Sequence, residues 1–253
     1  MKMITECEIE YLKCFCEAYE QHDFIRFYDA LMPDQWCLNY TWVKSIKNEA
    51  AFIQLIESEV AYSKSMEKDF CVIKCQLPIN HSILKQLSHT PEISTAGYYV
   101  FDDFSNLSKL SKINDSHVAK VDKTEMLEDV LVLDLEHDGD SDFCARRINR
   151  CKDIYLSDGS VDSYICYHNN KAVGNCNLFI HNGIAKIEDF AVSPSHQRKG
   201  FGITMMKTLI EIAMGKNVTA IYLETDEGDP AKDMFQKCGF YKVAEFTDLM
   251  FKF

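Results

Sequence analysis

The sequence predicts an α/β fold: a mixed, largely antiparallel sheet flanked by helices, with a second, smaller α/β unit at the N-terminus. Short apolar or alternating segments typical of strands interchange with longer segments of helical periodicity. Glycine is unevenly distributed, because Gly97 stands alone before residue 130 and the other nine of the ten glycines follow it. We therefore predict an accessory unit at residues 1–115 and a larger unit at residues 116–253, joined near a polar stretch at residues 109–120.

The N-terminal unit alternates predicted helices and strands. In order, they are a helix over residues 7–31 that stops near Pro33, a strand over 37–44, a helix over 48–66, a strand over 70–77, a short helix over 81–89 and an aromatic strand over 97–103. This unit contains no glycine-rich loop and no catalytic constellation of side chains. We expect it to serve packing or to shape a substrate site.

The C-terminal unit is predicted to begin with a strand over residues 117–121, followed by two helices and three further strands. Thr124 is a good N-cap for the first helix, and Glu125 and Glu128 suit the positive end of its dipole. The strands cover residues 163–168, 171–180 and 184–192, and Asn182-Gly183 predicts a tight hairpin between the last two. After Val192 the predicted order is loop, helix (203–215), strand (220–225), helix (230–238) and strand (240–246).

Charge and cysteine content exclude several classes of function. The net charge is -12 and no Lys/Arg-rich run occurs, which disfavours nucleic acid as a partner and favours cationic small molecules such as amines. The N-terminal stretch has no apolar signal core, and no apolar run is long enough to span a membrane. The eleven cysteines are odd in number, and Cys14 and Cys16 stand too close for a zinc knuckle. We expect a cytoplasmic protein with reduced thiols and no metal.

The loop before the helix at residues 203–215 has the features of an anion site. The first turn of a helix carries unpaired N–H groups and a partial positive charge. Gly200 and Gly202 let an anion approach this backbone, and Gln197, Arg198 and Lys199 supply donors beside it. A P-loop is excluded because the Lys precedes the Gly, and a dinucleotide fingerprint is excluded because Met205 stands at its third glycine.

Residues 197–202 match Q/R-x-x-G-x-G/A, the pyrophosphate-binding signature of the GNAT family of acetyl-CoA-dependent N-acetyltransferases. The stretch "FAVSP" before it and "AKDMFQKCGF" near the C-terminus also resemble that family. The resemblance covers His117 to Phe253. A degenerate copy of the same fold is one interpretation of the first half, which these motifs do not cover.

The resemblance implies acetyl-CoA as co-substrate. Backbone groups of Ala191 and Val192 would then pair with the pantetheine arm of the cofactor. Residues 197–202 would wrap its pyrophosphate, and Thr204 would add a hydroxyl; the residues of this predicted cofactor site are Ala191, Val192, Gln197, Arg198, Lys199, Gly200, Phe201, Gly202 and Thr204.

An amine acceptor needs help to lose its proton. An amine of pKa ~10.4 is neutral in only about one part in 2,500 at pH 7, a free-energy cost of roughly 4.6 kcal/mol. Glu188, Asp189 and Glu224 are candidate bases, and we choose Glu188. Regular alternation along the strand predicts that Glu188 shares a face with Phe190 and Val192 and that Asp189 points to the other face.

The sequence departs from the family at the leaving group. Many relatives place a Tyr general acid where Phe235 stands, and a phenyl ring cannot donate a proton. The family's frequent Asn before the terminal helix is also missing: Gly228 aligns with it, and Asp229 is an expected N-cap before Pro230.

The leading hypothesis is an N-acetyltransferase that moves acetyl from acetyl-CoA directly to a primary amine of a small molecule or protein. The alternative is a catalytically weak acyl-CoA-binding sensor or structural module, which Phe235 favours slightly. A third hypothesis makes Cys238 a nucleophile, but its position beside Met234 and Phe235 is more typical of a core residue. The sequence does not identify the acceptor, and a homodimer remains open.

Overall fold

The computed structural model describes residues 1–76, 79–157 and 161–253. They divide into two compact units, each assembled from several stretches of the chain. Unit 1 consists of Met1–Cys14, Tyr98–Thr225 and Asp229–Val243. Unit 2 consists of Phe15–Gly97, Asp226–Gly228 and Ala244–Phe253. Both are mixed α/β structures in which most strand pairs are antiparallel, so the predicted fold class is confirmed.

Unit 1 contains a sheet with helices packed on it. Its helices are α1 (Lys2–Leu12), α4 (Thr124–Asp138), α5 (Ser141–Tyr155), α6 (Phe201–Gly215) and α7 (Ala231–Lys237). Its strands are the end of β5 (Glu92–Phe101), β6 (Ser116–Lys120), β7 (Val161–His168), β8 (Lys171–His181), β9 (Ile184–Val192), β10 (Ala220–Asp226) and the start of β11 (Tyr241–Lys252). The order across the sheet is β5-β10-β9-β8-β7-β6.

Local chemistry explains the middle of unit 1. Asn182 and Gly183 have φ values of 49° and 76°, the left-handed pair that a tight hairpin between β8 and β9 requires, so the predicted hairpin is confirmed. The next connection runs through α6, and β10 therefore returns parallel to β9. The apolar face of α6 is buried against the sheet by Met206, Leu209 and Ile210.

Unit 2 has the same kind of architecture on a smaller scale. Its elements are β1 (Glu17–Glu20), β2 (Phe24–Tyr28), β3 (Thr41–Val43), α2 (Glu49–Ser65), β4 (Phe70–Cys75), α3 (His81–Gln86), the start of β5 and most of β11. The strands β3 and β4 are parallel and are joined by α2, whose Phe52, Ile56 and Val60 form the core with β4 and β11.

The two halves of the chain follow one order of elements. Three strands, a helix, a strand, a helix and a final strand run from β1 to β5, and the same series runs from β7 to β11. The final strands are exchanged between the units. Residues 98–101 of β5 belong to unit 1, where β5 lies next to β10, whereas residues 247–252 of β11 pair with β4 in unit 2.

The helix predicted over residues 7–31 is wrong beyond Leu12. After α1, the strands β1 and β2 form an antiparallel hairpin in which Glu17 pairs with Tyr28. On β2, Ile25 and Phe27 are buried between half-buried neighbours, which is the two-residue period of a strand. The error has a simple origin, because Phe24, Phe27, Tyr28 and Leu31 also fit the spacing of a helical face.

Three other predicted features differ in detail. The strand expected over residues 37–44 shrinks to β3, because a 3-10 turn at Trp36–Leu38 occupies its start. Thr124 is not the N-cap of α4: Lys123 holds that position, and no side chain caps the helix. Leu77, the last residue of the strand predicted over 70–77, lies outside the described residues.

Several global features of the described residues bear on function. No helix in the described parts of the chain is both long and apolar enough to cross a bilayer. Within the same ranges, no group of three or more His, Cys, Asp or Glu side chains is arranged to hold a metal ion. The eleven cysteines are free thiols, and most are buried; only Cys37 is exposed.

The exchanged strand β11 predicts that a C-terminal substitution destabilises unit 2. Leu249 is fully buried among residues of α2 and β4, and it pairs with Ile73. Leu249→Ala should cost about 2–5 kcal/mol of unfolding free energy and accelerate hydrogen exchange in β4. Val243→Ala, at a partly exposed position of the same strand, is the control and should change little. Unchanged exchange in β4 of Leu249→Ala would contradict this assignment.

Candidate active site

Strand β9 is irregular where the candidate base lies. Asn177 of β8 lies opposite Glu188, but Asn175 lies opposite Ala191, so one residue of β8 faces two residues of β9. Asp189, one of those two, has a φ of 50° in the left-handed region. This is a β-bulge, which bends a strand and changes the direction of its side chains.

The bulge overturns the predicted face of Glu188. Phe190 and Val192 pack with Ile187 in the core that α6 and α7 cover, whereas Glu188 forms an ion pair with Lys186 on the other side of the strand. The prediction that Glu188 shares a face with Phe190 and Val192 is therefore wrong. It assumed strict alternation, and an extra residue in the strand reverses the alternation beyond it.

Strands β9 and β10 also diverge at this point. Their parallel register runs from Ile184 with Ala220 to Ile187 with Leu223, although the strands continue to Val192 and Asp226. Among the described residues, no β10 residue pairs with the second half of β9. Its backbone on the β10 side is therefore available to an extended ligand, as main-chain groups at the edge of a sheet are.

The loop between β9 and α6 bends through left-handed backbone twice. Arg198 has a φ of 58°, and Gly200, the N-cap of α6, has a φ of 92°. Left-handed residues within a tight turn form concave arrays of N–H groups that suit anions, and the unpaired first-turn amides of α6 adjoin them. The arrangement fits a pyrophosphate group by its backbone alone.

The three side chains of this loop are exposed and differ in their partners. Gln197 donates from Nε2 to the Val192 carbonyl (3.1 Å), and Lys199 donates from Nζ to the Ser195 carbonyl (2.8 Å). Lys199 contacts an uncharged carbonyl and Arg198 contacts no carboxylate among the described residues. The positive charge of the loop is therefore not neutralised. It therefore adds to the helix dipole at the N-terminus of α6.

Thr204 is engaged within the fold. Its hydroxyl accepts the Ile113 N–H (3.0 Å) and donates to the Gly200 carbonyl (3.2 Å), and the residue is 1% exposed. Since a hydroxyl has one proton to donate, this proton is not offered to an anion. Thr204 therefore fixes the segment at Ile113 to the start of α6, and its contact with a cofactor stays a prediction.

The glycines of the site permit close packing. A Cβ at Gly202 would lie 2.5 Å from Met234 Sδ, so α7 approaches the first turn of α6 closely. A Cβ at Gly174 would lie 2.6 Å from the Ala191 carbonyl oxygen and 2.8 Å from Met205 Sδ. Strand β8 is therefore held against both β9 and α6, which positions the loop between them.

Glu188 lies in a cluster of charges. Its Oε2 is 2.7 Å from Lys186 Nζ, and its side chain is 32% exposed. The pKa of Glu188 is raised to about 7: burial is the largest cause, Asp189 and Glu8 add to it, and Lys186 opposes it. Burial also lowers the pKa of Lys186, but Glu188 and Glu8 more than offset this effect, so that pKa is raised overall. A carboxyl with a pKa near 7 is suited to proton transfer at neutral pH.

The other candidate bases have different surroundings. Asp189 accepts a hydrogen bond from Asn177 Nδ2 (2.8 Å) and lies 4.0 Å from Arg147 Nη1. Arg147 also contacts Asp134 at 3.1 Å, so Asp189 belongs to a network around a largely buried guanidinium. Glu224 of β10 is one of the carboxylates that raise the pKa of Lys186. Glu188 thus stays our choice as a prediction, supported by its partial exposure and its pKa.

Phe235 occupies an aromatic cluster. It is 4% exposed, and its ring meets Phe190 edge-to-face at 5.7 Å and Phe240 at 6.4 Å between centroids. Asp229 is not the N-cap of α7: the helix begins at Ala231 and Pro230 holds the cap position, although the Asp229 carboxylate accepts the Ala231 N–H (2.7 Å). Cys238 is 1% exposed, and burial raises its thiol pKa to about 11, which disfavours a thiolate nucleophile.

Sequence reasoning missed two sets of functional neighbours. Glu8 of α1 binds Lys186, and Asp134 and Arg147 reach Asp189 from α4 and α5. One signal was available: "KIED" places three charges within four residues of a strand in an otherwise apolar context. Buried charges need partners, but the sequence does not say where those partners lie.

The site thus combines a bulged strand that diverges from its parallel neighbour with a glycine-bordered helix N-terminus. Residues 126–240 match the acetyltransferase (GNAT) family. A search of curated proteins finds no significant match. The chain resembles a conserved protein of unknown function from Staphylococcus epidermidis, with a TM-score of 0.77, 16% identity and 92% of each chain covered.

Two further solved structures share this fold. A GCN5-related N-acetyltransferase from Kribbella flavida has a TM-score of 0.71 and 14% identity over 98% of this chain and 94% of the other. A tandem GNAT protein from the clavulanic acid biosynthesis pathway has a TM-score of 0.64 and 11% identity over 90% of this chain and 78% of the other. Residues 126–240 of the chain therefore form a domain of the GNAT acetyltransferase family, and the family and fold support acyl transfer.

The surroundings of Phe235 predict that the ring serves packing. Phe235→Ala removes a buried ring from an aromatic cluster and should cost about 3–5 kcal/mol of unfolding free energy. Phe235→Tyr keeps the ring, so coenzyme A binding should be unchanged and any acetyl transfer equal or faster. Melting temperature and acetyl transfer are measured for both variants. A Phe235→Ala protein with full stability and lost activity would contradict a packing role.

Proposed function

We propose that the protein transfers an acetyl group from acetyl-CoA to a primary amine, directly and without a covalent enzyme intermediate. The observation that carries the proposal is the N-terminus of α6, where left-handed backbone at Arg198 and Gly200 adjoins the unpaired edge of β9. This is a site for an anion next to a site for an extended chain. The acceptor is a small molecule or a protein of unassigned identity.

The residues present fit acetyl-CoA. The amides around Gly200 and Gly202 would hold its pyrophosphate, with the charges of Arg198 and Lys199 beside them. Backbone groups of Ala191 and Val192 would hold the pantetheine arm. When bound, acetyl-CoA supplies an acetyl group activated as a thioester. The bulge at Asp189 lies where β9 and β10 diverge. It separates the charged side chain of Glu188 from the apolar side chains of Phe190 and Val192.

Glu188 is the proposed base. With a pKa near 7, its carboxylate is substantially ionised at neutral pH and can accept a proton from an ammonium acceptor, directly or through water. The task is to offset part of the roughly 4.6 kcal/mol that deprotonating an amine of pKa ~10.4 costs at pH 7. The partial exposure of Glu188 leaves room for that exchange.

The leaving thiolate receives no proton from position 235. A thiol of pKa ~8.5 leaves as a thiolate without obligatory protonation, so the absence of a tyrosine should slow transfer rather than prevent it. The same absence favours the second candidate function, a catalytically weak acyl-CoA-binding sensor or structural module. The specific observation on its side is the burial of Phe235 within an aromatic cluster.

We also propose that the first half of the chain is a degenerate, accessory copy of the fold, with the boundary near residues 115 and 116. The repeated order of elements supports this. The helix after β3 corresponds in order to α6, but no glycine precedes it. Asn48 instead caps α2 with its side-chain oxygen on the Ala51 N–H (2.9 Å), and Glu49 opens the helix. A capped, acidic helix start does not suit a pyrophosphate.

The proposed setting is the cytoplasm, where eleven free thiols stay reduced. The net charge of -12 supports a cationic acceptor, because an acidic surface raises the local concentration of amines.

Two matched glycine variants test the cofactor site. Gly202→Glu introduces a side chain and a negative charge at the N-terminus of α6 and should abolish coenzyme A binding measured by calorimetry. Gly215→Glu adds the same group at the other end of α6, where a Cβ would meet nothing within 4 Å, and binding should persist. A folded Gly202→Glu protein that binds coenzyme A as tightly as the wild type would contradict the proposed cofactor site.

Catalysis is separated from binding by product formation. The protein is incubated with acetyl-CoA and a pool of primary amines, and free thiol and acetylated amine are measured together. Matched release of both products supports the transferase. Tight coenzyme A binding without either product favours the sensor, and thiol release without acetylated amine indicates hydrolysis.

A further inference from the structure

The ion-pair cluster on β9 includes a carboxylate from the N-terminal helix. Lys186 Nζ lies 2.6 and 2.7 Å from the two carboxylate oxygens of Glu8 and 2.7 Å from Glu188 Oε2. The side chains of Lys186 and Glu8 are each 3% exposed, and the Tyr222 hydroxyl donates to Glu8 Oε2 at 2.9 Å. Glu8 therefore sits in unit 1 although it precedes the family-matched segment by more than a hundred residues.

The donors of Lys186 are divided unequally. A lysine ammonium has three N–H donors, and the contacts assign two to Glu8 and one to Glu188. The ammonium also lies 4.4 Å from the centroid of the Tyr11 ring, which encloses it on the α1 side. Glu8 thus shares the charge of Lys186 with Glu188 and accepts two of its three donors.

Other charged and titratable groups of the neighbouring elements face either Glu188 or the residues that contact it. They are Glu8 and Tyr11 of α1, Lys186 and Asp189 of β9, Tyr222 and Glu224 of β10, and, through Asp189, Asp134 of α4 and Arg147 of α5. Arg147 lies within 4.0 Å of Asp134, Asp138 and Asp189, so its single charge does not balance all three carboxylates. Lys186 is therefore the cation in direct contact with Glu188, and its only other ion-pair partner among the described residues is Glu8.

We propose that Glu8 is a positioning residue that holds Lys186 and compensates its charge, so that Glu188 is free to exchange a proton with the acceptor. The inference rests on the proposed function, in which Glu188 is the base. Without Glu8, Lys186 would turn its donors to Glu188 and stabilise the carboxylate against protonation. Without Lys186, Glu188 would face Asp189 and Glu8 with no cation in contact, and its proton would be held more tightly.

These two changes should move the titration of Glu188 in opposite directions. The protein is labelled with glutamate carrying ¹³C at the side-chain carboxyl, and the Glu188 resonance is assigned by its loss in Glu188→Gln. Glu8→Gln should lower the titration midpoint of Glu188 by about one pH unit, and Lys186→Met should raise it by about one pH unit. Loss of packing alone would not produce shifts of opposite sign.

Glu59→Gln is the matched control. Glu59 is a buried carboxylate of unit 2 that pairs with Arg26, and it is not among the groups that shift the pKa of Glu188. Its removal should leave the Glu188 midpoint unchanged. Glu8→Asp retains the charge on a shorter side chain and should restore the midpoint at least halfway toward the wild-type value. It also serves as the second variant if Glu8→Gln does not fold.

The titration decides the role of Glu8 without turnover. An unchanged Glu188 midpoint in folded Glu8→Gln, or shifts of the same sign in Glu8→Gln and Lys186→Met, would overturn the proposal. Where acetyl transfer is observed, the acid limb of kcat/KM should follow the NMR midpoints. A chain that shows the opposite shifts but transfers no acetyl group supports the role of Glu8 and contradicts the proposed function.

Discussion

The extra residue in β9 is the constraint on which the rest of the site depends. It allows Glu188 and Lys186 to face α1, while Phe190 and Val192 complete the core beneath α6 and α7. In a regular strand, Phe190 and Val192 would lie on the same face as Glu188 and away from the core. The bulge also lies where the register with β10 ends, so one backbone irregularity both opens an edge and separates the charges from the core.

The same series of elements meets two different requirements in the two halves. Each has a helix that joins parallel strands, but the start of α6 is bare glycine backbone with cations beside it, whereas the start of α2 is closed by Asn48 and followed by Glu49. A side-chain cap satisfies the first amides of a helix and stabilises it by ~1 kcal/mol. The first amides of α6, which no side chain caps, are left to water or to a ligand that supplies the acceptor.

Local patterns were enough to predict much of unit 1. The Asn182-Gly183 hairpin and the helix after Gly202 each depend on residues adjacent in the chain. The bulge was not predictable, because an extra residue is visible only against the register of β8. The hairpin at residues 17–28 was missed for a related reason: four apolar residues fit both periods, and pairing between strands decided the outcome.

Glu8 shows how far the site extends beyond its motif. Breaking a buried ion pair by removing one partner typically costs about 3–5 kcal/mol, because the remaining charge is left uncompensated. Lys186, on the same strand as the candidate base, therefore requires a residue that lies 178 positions earlier in the chain. The end of β5 adds a second distant segment to unit 1. The family-matched residues carry the loop that recognises the family, but its buried charge is balanced only with α1 in place.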